Sequence, residues 1–69
     1  MDVVSVLPGR VVEIKVTKGQ AVNAGDVIMT LEVMKMTQEL AAEAGGVVAS
    51  IDVEEGQELV PGQVVATLQ

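Results

Sequence analysis

The chain has 69 residues and a formal net charge of −6, and it contains no Cys, no His and no aromatic residue. A chain this short forms one small core, so we expect a single domain over residues 1–69. The missing Cys and His exclude disulfides and the common zinc and iron sites, and the acidic charge argues against binding nucleic acid. No apolar run approaches the ~20 residues of a transmembrane helix, and no signal segment precedes the first strand-like stretch. We therefore expect a cytoplasmic location without direct membrane insertion, or a domain excised from a larger protein.

Apolar residues alternate with polar ones along most of the chain, which predicts strands. Valine dominates, and β-branched residues favour strands. A first strand is predicted at Val3–Leu7, where the turn residues Pro8 and Gly9 end it. A second covers residues 12–16, where Val12, Ile14 and Val16 alternate with polar residues and are expected on the buried face. The longest alternating run covers 27–33, with Met29 and Ile28 expected on opposite faces, and leads directly to Lys35. The alternation then resumes over residues 36–42, and further strands are predicted at 49–53 and 64–68.

The two halves of the chain repeat with a spacing of 37 residues and no gap. The matched pairs include Gly9 and Gly46, Val11 and Val48, Gly19 and Gly56, and Gly25 and Gly62. Two copies of a four-stranded unit predict an all-β, flattened barrel or sandwich of eight strands, with two four-stranded antiparallel sheets related by a pseudo-two-fold axis. Glu32 corresponds to Gln69, so the segment around Lys35 has no counterpart. The pseudo-two-fold axis places that segment at the opposite end from the chain termini.

The segment Val33–Met36 places a cation between two thioether side chains at the midpoint of the chain. Two strands flanking Met34 and Lys35 predict a tight two-residue turn, and such turns favour Asn-Gly because both central residues often need a positive φ. Bulky residues there cost roughly 1–3 kcal/mol, and such strain tends to mark functional positions. A lysine at this tip exposes its primary amine to a modifying enzyme. The alternative is a solvated charge at a turn.

These residues resemble a known family. Val33–Met36, preceded by Glu32 and set between the glycine repeats, resembles the biotinyl domain of biotin-dependent carboxylases and decarboxylases, in the biotin/lipoyl attachment family. Pro8-Gly9-Arg10-Val11 resembles the opening of that family, and the glycine-containing segments of both halves resemble its two repeats. The resemblance covers almost the whole chain. It implies the barrel-sandwich hybrid fold with the modified lysine at a hairpin tip.

The resemblance also implies a function. Lys35 would be biotinylated on its ε-amine by a biotin protein ligase using ATP, and Glu32, Val33, Met34 and Met36 would serve recognition. The covalent biotin arm would shuttle a carboxyl group between the biotin carboxylase and carboxyltransferase (or decarboxylase) subunits of an acyl-CoA or keto-acid carboxylase or decarboxylase. The chain itself would be a non-catalytic carrier with no catalytic residue and no metal site.

Two departures from the family pattern concern partner specificity. Val33 stands where the family commonly has Ala or Ser, and Thr37-Gln38 stands where many members have Glu-Asn. Neither removes the acceptor lysine, so we expect the same modification with altered partner preference.

Three alternatives remain at this stage. A lipoyl carrier domain of a 2-oxoacid dehydrogenase complex shares the fold, but its lysine typically follows Asp and precedes a small residue. An unmodified barrel-sandwich binding module would have a tip lysine without special flanks. An enzyme has little support, because the acidic residues Asp52, Glu54 and Glu55 lie at a predicted turn and are interpreted as a solvated face. A partner-docking role for this acidic surface stays open.

Overall fold

A computed structural model describes residues 1–69, and the chain contains eight strands. The strands are β1 (Asp2–Val4), β2 (Gly9–Ile14), β3 (Ala21–Val22), β4 (Val27–Val33), β5 (Met36–Ala41), β6 (Gly46–Ile51), β7 (Glu58–Leu59) and β8 (Val64–Leu68). They form two four-stranded antiparallel sheets, in the orders β1-β8-β6-β3 and β5-β4-β2-β7. The predicted all-β sandwich of two four-stranded sheets is confirmed.

No helix of the kind that would cross a lipid bilayer, long and apolar, occurs in the structure.

The two halves of the chain interlock rather than forming one sheet each. Each sheet takes two strands from the first half and two from the second. The 37-residue shift carries β2 onto β6 and β3 onto β7 with the same bounds, and it carries β1 into the second part of β5. The pseudo-two-fold axis therefore exchanges the two sheets.

Backbone hydrogen bonds from turn glycines of each half reach the opposite half. Gly19 N donates to Val48 O at 2.7 Å, Gly56 N to Val11 O at 2.7 Å, Gly25 N to Ala42 O at 2.8 Å, and Gly62 N to Ser5 O at 2.7 Å. The φ angles of these glycines run from 87° to 93°, a conformation that favours glycine. The repeated glycines therefore serve one purpose, which is to let each half complete the turns of the other.

The core is one cluster of 15 buried hydrophobic residues, all of them aliphatic or methionine. In the β5-β4-β2-β7 sheet, strict alternation fails at two places, because the register shifts between Val11 and Glu13 and again between Val27 and Met29. A bulge of this kind sets two residues against one and changes which side chains point inward. Val12, expected on the inner face, is 45% exposed, whereas Val11 is buried. Ile28, expected on the face opposite Met29, is fully buried beside it.

The first strand is shorter than the predicted Val3–Leu7, because it ends at Val4. Ser5 leaves the sheet: its backbone N–H donates to Gln63 O at 2.9 Å, and its hydroxyl donates to Leu7 O at 2.8 Å. These bonds turn the chain, and Val6 is left 75% exposed.

Gly9 lies where β2 approaches β4 too closely for a side chain. A Cβ on Gly9 would lie 2.6 Å from Glu32 O and 2.9 Å from Val33 Cγ2. We expect Gly9→Ala to lower the free energy of unfolding by about 1–3 kcal/mol, since backbone must shift to remove the overlap. Urea unfolding followed by far-UV circular dichroism measures this loss.

Gly45→Ala is the matched control, because the nearest atom to a Cβ on Gly45 would be Val22 O at 3.3 Å. A shift of a few tenths of an ångström relieves a contact of that length, so the loss is expected to be smaller than for Gly9→Ala. Equal losses in the two variants would contradict this account of Gly9.

Candidate functional site

The β4–β5 hairpin closes in a two-residue turn of Met34 and Lys35, with Val33 paired to Met36. Both turn residues have positive φ, 52° for Met34 and 66° for Lys35. They are the only non-glycine residues of the chain with positive φ. Each such residue costs roughly 1–2 kcal/mol because Cβ crowds the following carbonyl. The predicted strained turn is confirmed.

The strands on either side fix the turn. The seven-residue β4 lies inside its sheet, between β5 and β2, and the pairing with β5 continues from Val33 and Met36 to Glu32 and Thr37. The side chain of Val33 is buried in the core. An inward anchor directly before the turn leaves Met34 and Lys35 no freedom to relax toward a lower-energy conformation.

The side chains at the tip all lie outside the core. Met34 is 90% exposed and Met36 is 69% exposed, and Lys35 between them is also exposed. The two methionines therefore do not fill gaps in the core. Exposed, flexible thioethers are typical of surfaces that contact other proteins.

Lys35 also takes part in no ion pair. The structure contains two ion pairs, Arg10–Glu32 at 3.1 Å and Lys15–Glu13 at 2.8 Å, and Lys35 takes part in neither. The hydrogen bond and negative charge of Glu13 raise the pKa of Lys15 above its usual value, with a smaller contribution from the charge of Glu39. Of the four cationic side chains, Lys18 and Lys35 lie in no ion pair, and only Lys35 lies at the strained turn.

Glu32 lies on β4, three residues before Lys35, and directly opposite Arg10 on β2. The Arg10–Glu32 ion pair is exposed on both sides, with 54% and 44% of the side chains accessible, so it adds only about 0–1 kcal/mol to stability. Sequence reasoning selected Glu32 but missed Arg10. The missing information was the strand register, which the bulge in β2 conceals.

The other polar clusters and cavities offer no catalytic group. A groove of about 170 Å³ between β1 and β5 is mainly apolar, with Asp2 and Glu43 as its charged residues. The exposed acidic residues near residues 52–55 make structural bonds: Glu55 accepts from Ile14 N at 3.0 Å, and Asp52 accepts from the Ser50 hydroxyl at 3.3 Å.

The eight-stranded sandwich presents one exposed lysine on a strained hairpin, which is the arrangement expected of a domain that carries a covalently attached group. The family model described as "Biotin-requiring enzyme" matches residues 2–68, and the chain belongs to this family. The resemblance to a biotinyl domain is confirmed. The expectation of covalently bound biotin on a domain that is not itself catalytic is confirmed with it. An exposed amine outside any ion pair fits such a covalent attachment.

Curated relatives have a similar sequence. The chain is 35% identical over 63 residues to the biotin-dependent acyl-coenzyme A carboxylase alpha3 subunit of Mycobacterium leprae, covering 91% of this chain and 10% of that subunit. It is 31% identical over 67 residues to the biotinylated protein TB7.3 homolog of the same organism, covering 97% of this chain and 94% of that protein. The chain thus spans about a tenth of the first relative and nearly all of the second.

Solved structures share the fold. The urea carboxylase of Kluyveromyces lactis matches with a TM-score of 0.94 at 28% identity, over 100% of this chain and 6% of that one. The lipoyl domain of the 2-oxoglutarate dehydrogenase complex from Azotobacter vinelandii matches with a TM-score of 0.77 at 32% identity, over 90% of this chain and 78% of that one. Both likenesses support the same eight-stranded architecture.

The strain at the turn is directly measurable. We expect Lys35→Gly to raise the free energy of unfolding by about 0.5–1 kcal/mol, because relief of the positive φ outweighs the extra chain entropy of glycine. Equilibrium urea unfolding of the unmodified protein measures the change.

Lys18→Gly is the matched control. Lys18 also lies at an exposed turn, but it does not have a positive φ. Glycine there brings only its entropic cost, so stability is expected to fall by about 0.5–1 kcal/mol. A loss of stability in Lys35→Gly similar to that in Lys18→Gly would contradict strain at the turn.

Proposed function

We propose that Lys35 is the residue that carries biotin, attached through its ε-amine by a biotin protein ligase that consumes ATP. The observation that carries this proposal is the turn itself. Lys35 is exposed at a left-handed position, next to a 90% exposed Met34, and belongs to no ion pair. The scaffold tolerates strain at this position without using the lysine for its own stability.

The chemistry required of Lys35 is nucleophilic attack by a neutral amine. Its Nζ bonds to the activated carboxyl carbon of biotin, the activating group derived from ATP leaves, and the amine gives up a proton. The product is an amide on a four-carbon stem. Since no carboxylate of the domain pairs with Lys35, the incoming enzyme need not break an ion pair to reach the amine.

We further propose that the domain acts as a carboxyl carrier between a biotin carboxylase site and a carboxyltransferase or decarboxylase site. Bound biotin supplies a ureido nitrogen that accepts and releases a carboxyl group. The domain supplies the tether, which raises the effective concentration of the carried group at both sites. The names of the relatives support an acyl-CoA or keto-acid carboxylase or decarboxylase as the parent complex, located in the cytoplasm, where ATP for the ligase is available.

For recognition we propose Glu32, Val33, Met34 and Met36. The two methionines offer exposed apolar contacts beside the amine, and the Glu32 carboxylate lies on the outer face of β4. Val33 acts indirectly, because its side chain is buried and anchors the turn.

The likeness to a lipoyl domain makes lipoate the alternative group on the same lysine, but the family match and the names of the curated relatives do not favour it. The flanking residues argue for biotin, since Lys35 has Met on both sides. Tests of the modification therefore need to distinguish the two acyl groups by mass.

Incubation with a purified biotin protein ligase, biotin and MgATP is expected to add one biotinyl group to the wild-type chain. Lys35→Arg is expected to abolish the addition, because the guanidinium keeps the charge but is not acylated. Lys18→Arg and Lys15→Arg keep Lys35 and are expected to be modified as wild type. Intact-protein mass spectrometry and peptide mapping give the readout.

Addition of biotin to Lys35→Arg would show that another amine is the acceptor. A wild-type chain that accepts lipoate from a lipoate ligase but no biotin from the biotin ligase would replace the biotin proposal with the lipoyl one.

A further inference from the structure

Three charged residues lie side by side across the outer face of the β5-β4-β2-β7 sheet, which contains the β4–β5 hairpin and is called the hairpin sheet below. Arg10 on β2 is directly opposite Glu32 on β4 and directly opposite Glu58 on β7. Residues paired in this way across neighbouring strands share one face of the sheet. The row Glu32–Arg10–Glu58 therefore crosses the sheet from β4 to the edge strand β7, with a cation between two carboxylates.

The pseudo-two-fold axis shows that the scaffold does not require this row. The equivalent positions at the other end of the domain are Gln69, Val47 and Ala21, and they form the same cross-strand row. None of these three side chains carries a charge. The fold therefore accommodates uncharged side chains at the equivalent row.

The next row along each sheet provides the comparison. Glu39, Thr30 and Glu13 lie in one row of the hairpin sheet, and their equivalents Asp2, Thr67 and Ser50 form one row of the other sheet. Both rows are polar. Of these two rows, only the one nearest the hairpin is charged at one end of the domain and uncharged at the other.

Within the row, Arg10 fixes the orientation of Glu32. Its Nη2 donates to Glu32 Oε1 at 3.1 Å, and Oε2 of the same carboxylate accepts no hydrogen bond. Gly9, the neighbour of Arg10, brings β2 against the backbone of Glu32, so that the two side chains start from a close and fixed spacing. One carboxylate oxygen is held, and the other has no hydrogen-bond partner within the chain, on a side chain that is 44% exposed.

We propose that Arg10 is a positioning residue for recognition of the hairpin by the biotin protein ligase. It holds the Glu32 carboxylate so that Oε2 accepts a hydrogen bond from a cationic side chain of the ligase, with Glu58 extending the same acidic edge. This inference rests on the proposed function of Lys35. It adds Arg10, which lies 25 positions earlier in the chain, to the surface that the ligase contacts.

The test measures steady-state biotin addition by a purified biotin protein ligase with MgATP, with the carrier chain as the varied substrate. Arg10→Met and Glu32→Gln are each expected to lower kcat/KM about tenfold, the loss expected for one charge-assisted hydrogen bond. The loss is expected in KM rather than kcat, because neither residue touches the reacting amine. The double variant is expected to lose no more than either single one, since the two residues act as a unit.

Three controls separate recognition from structure. Lys15→Met breaks the other exposed ion pair and is expected to leave kcat/KM unchanged. The pair Val47→Arg with Gln69→Glu builds the same charges at the equivalent row and is also expected to change nothing. The exchange Arg10→Glu with Glu32→Arg restores an ion pair but places a cation where the carboxylate was, so kcat/KM is expected to stay low. Urea midpoints verify that every variant is folded.

Wild-type kcat/KM in Arg10→Met would overturn the inference while leaving Lys35 as the acceptor. Full recovery in the exchanged pair would also overturn it, because the ion pair rather than the carboxylate would then be what matters. A wild-type chain that takes up no biotin at all would instead refute the proposed function, and with it this inference.

Discussion

Hydrogen bonds from turn glycines to the opposite half of the chain hold this structure together. Of 38 backbone hydrogen bonds, 17 lie outside the regular strand pairings, so the connections carry nearly half of the backbone bonding. The strands β3 and β7 have two residues each and would not persist alone. Bonds such as Gly19 N to Val48 O and Gly56 N to Val11 O set them in place. A domain of this size with an aliphatic core depends on such regular bonding.

The β4–β5 hairpin is the one element in which the fold holds non-glycine residues in an unfavourable backbone conformation. Met34 and Lys35 are held at positive φ by strand pairing on both sides and by the buried side chain of Val33. Strained residues persist only where the surroundings over-determine them. Here the pairing of β4 with β5 and the burial of Val33 hold the turn in its strained conformation. The turn is also the position where an exposed amine would be accessible to a modifying enzyme.

Much of the fold and site followed from sequence because glycine spacing and apolar periodicity are local signals. The 37-residue repeat predicted two sheets, and Met34-Lys35 between two strands predicted the strained turn. The faces of Val12 and Ile28 were wrong because a bulge changes strand parity without any change in composition. Arg10 was missed for a related reason: its contact with Glu32 depends on the register between strands 22 residues apart, which no local pattern encodes.

The interlocked halves have the topology of a strand-swapped dimer whose two copies are fused in one chain. The first copy runs from Asp2 to Glu32 and the second from Glu39 to Gln69, so residues 33–38 are the joint between them. Within the joint, only Val33 belongs to the buried core. Residues 34–38 are all exposed, so packing does not constrain their side chains, and that is where Lys35 and its two methionines lie.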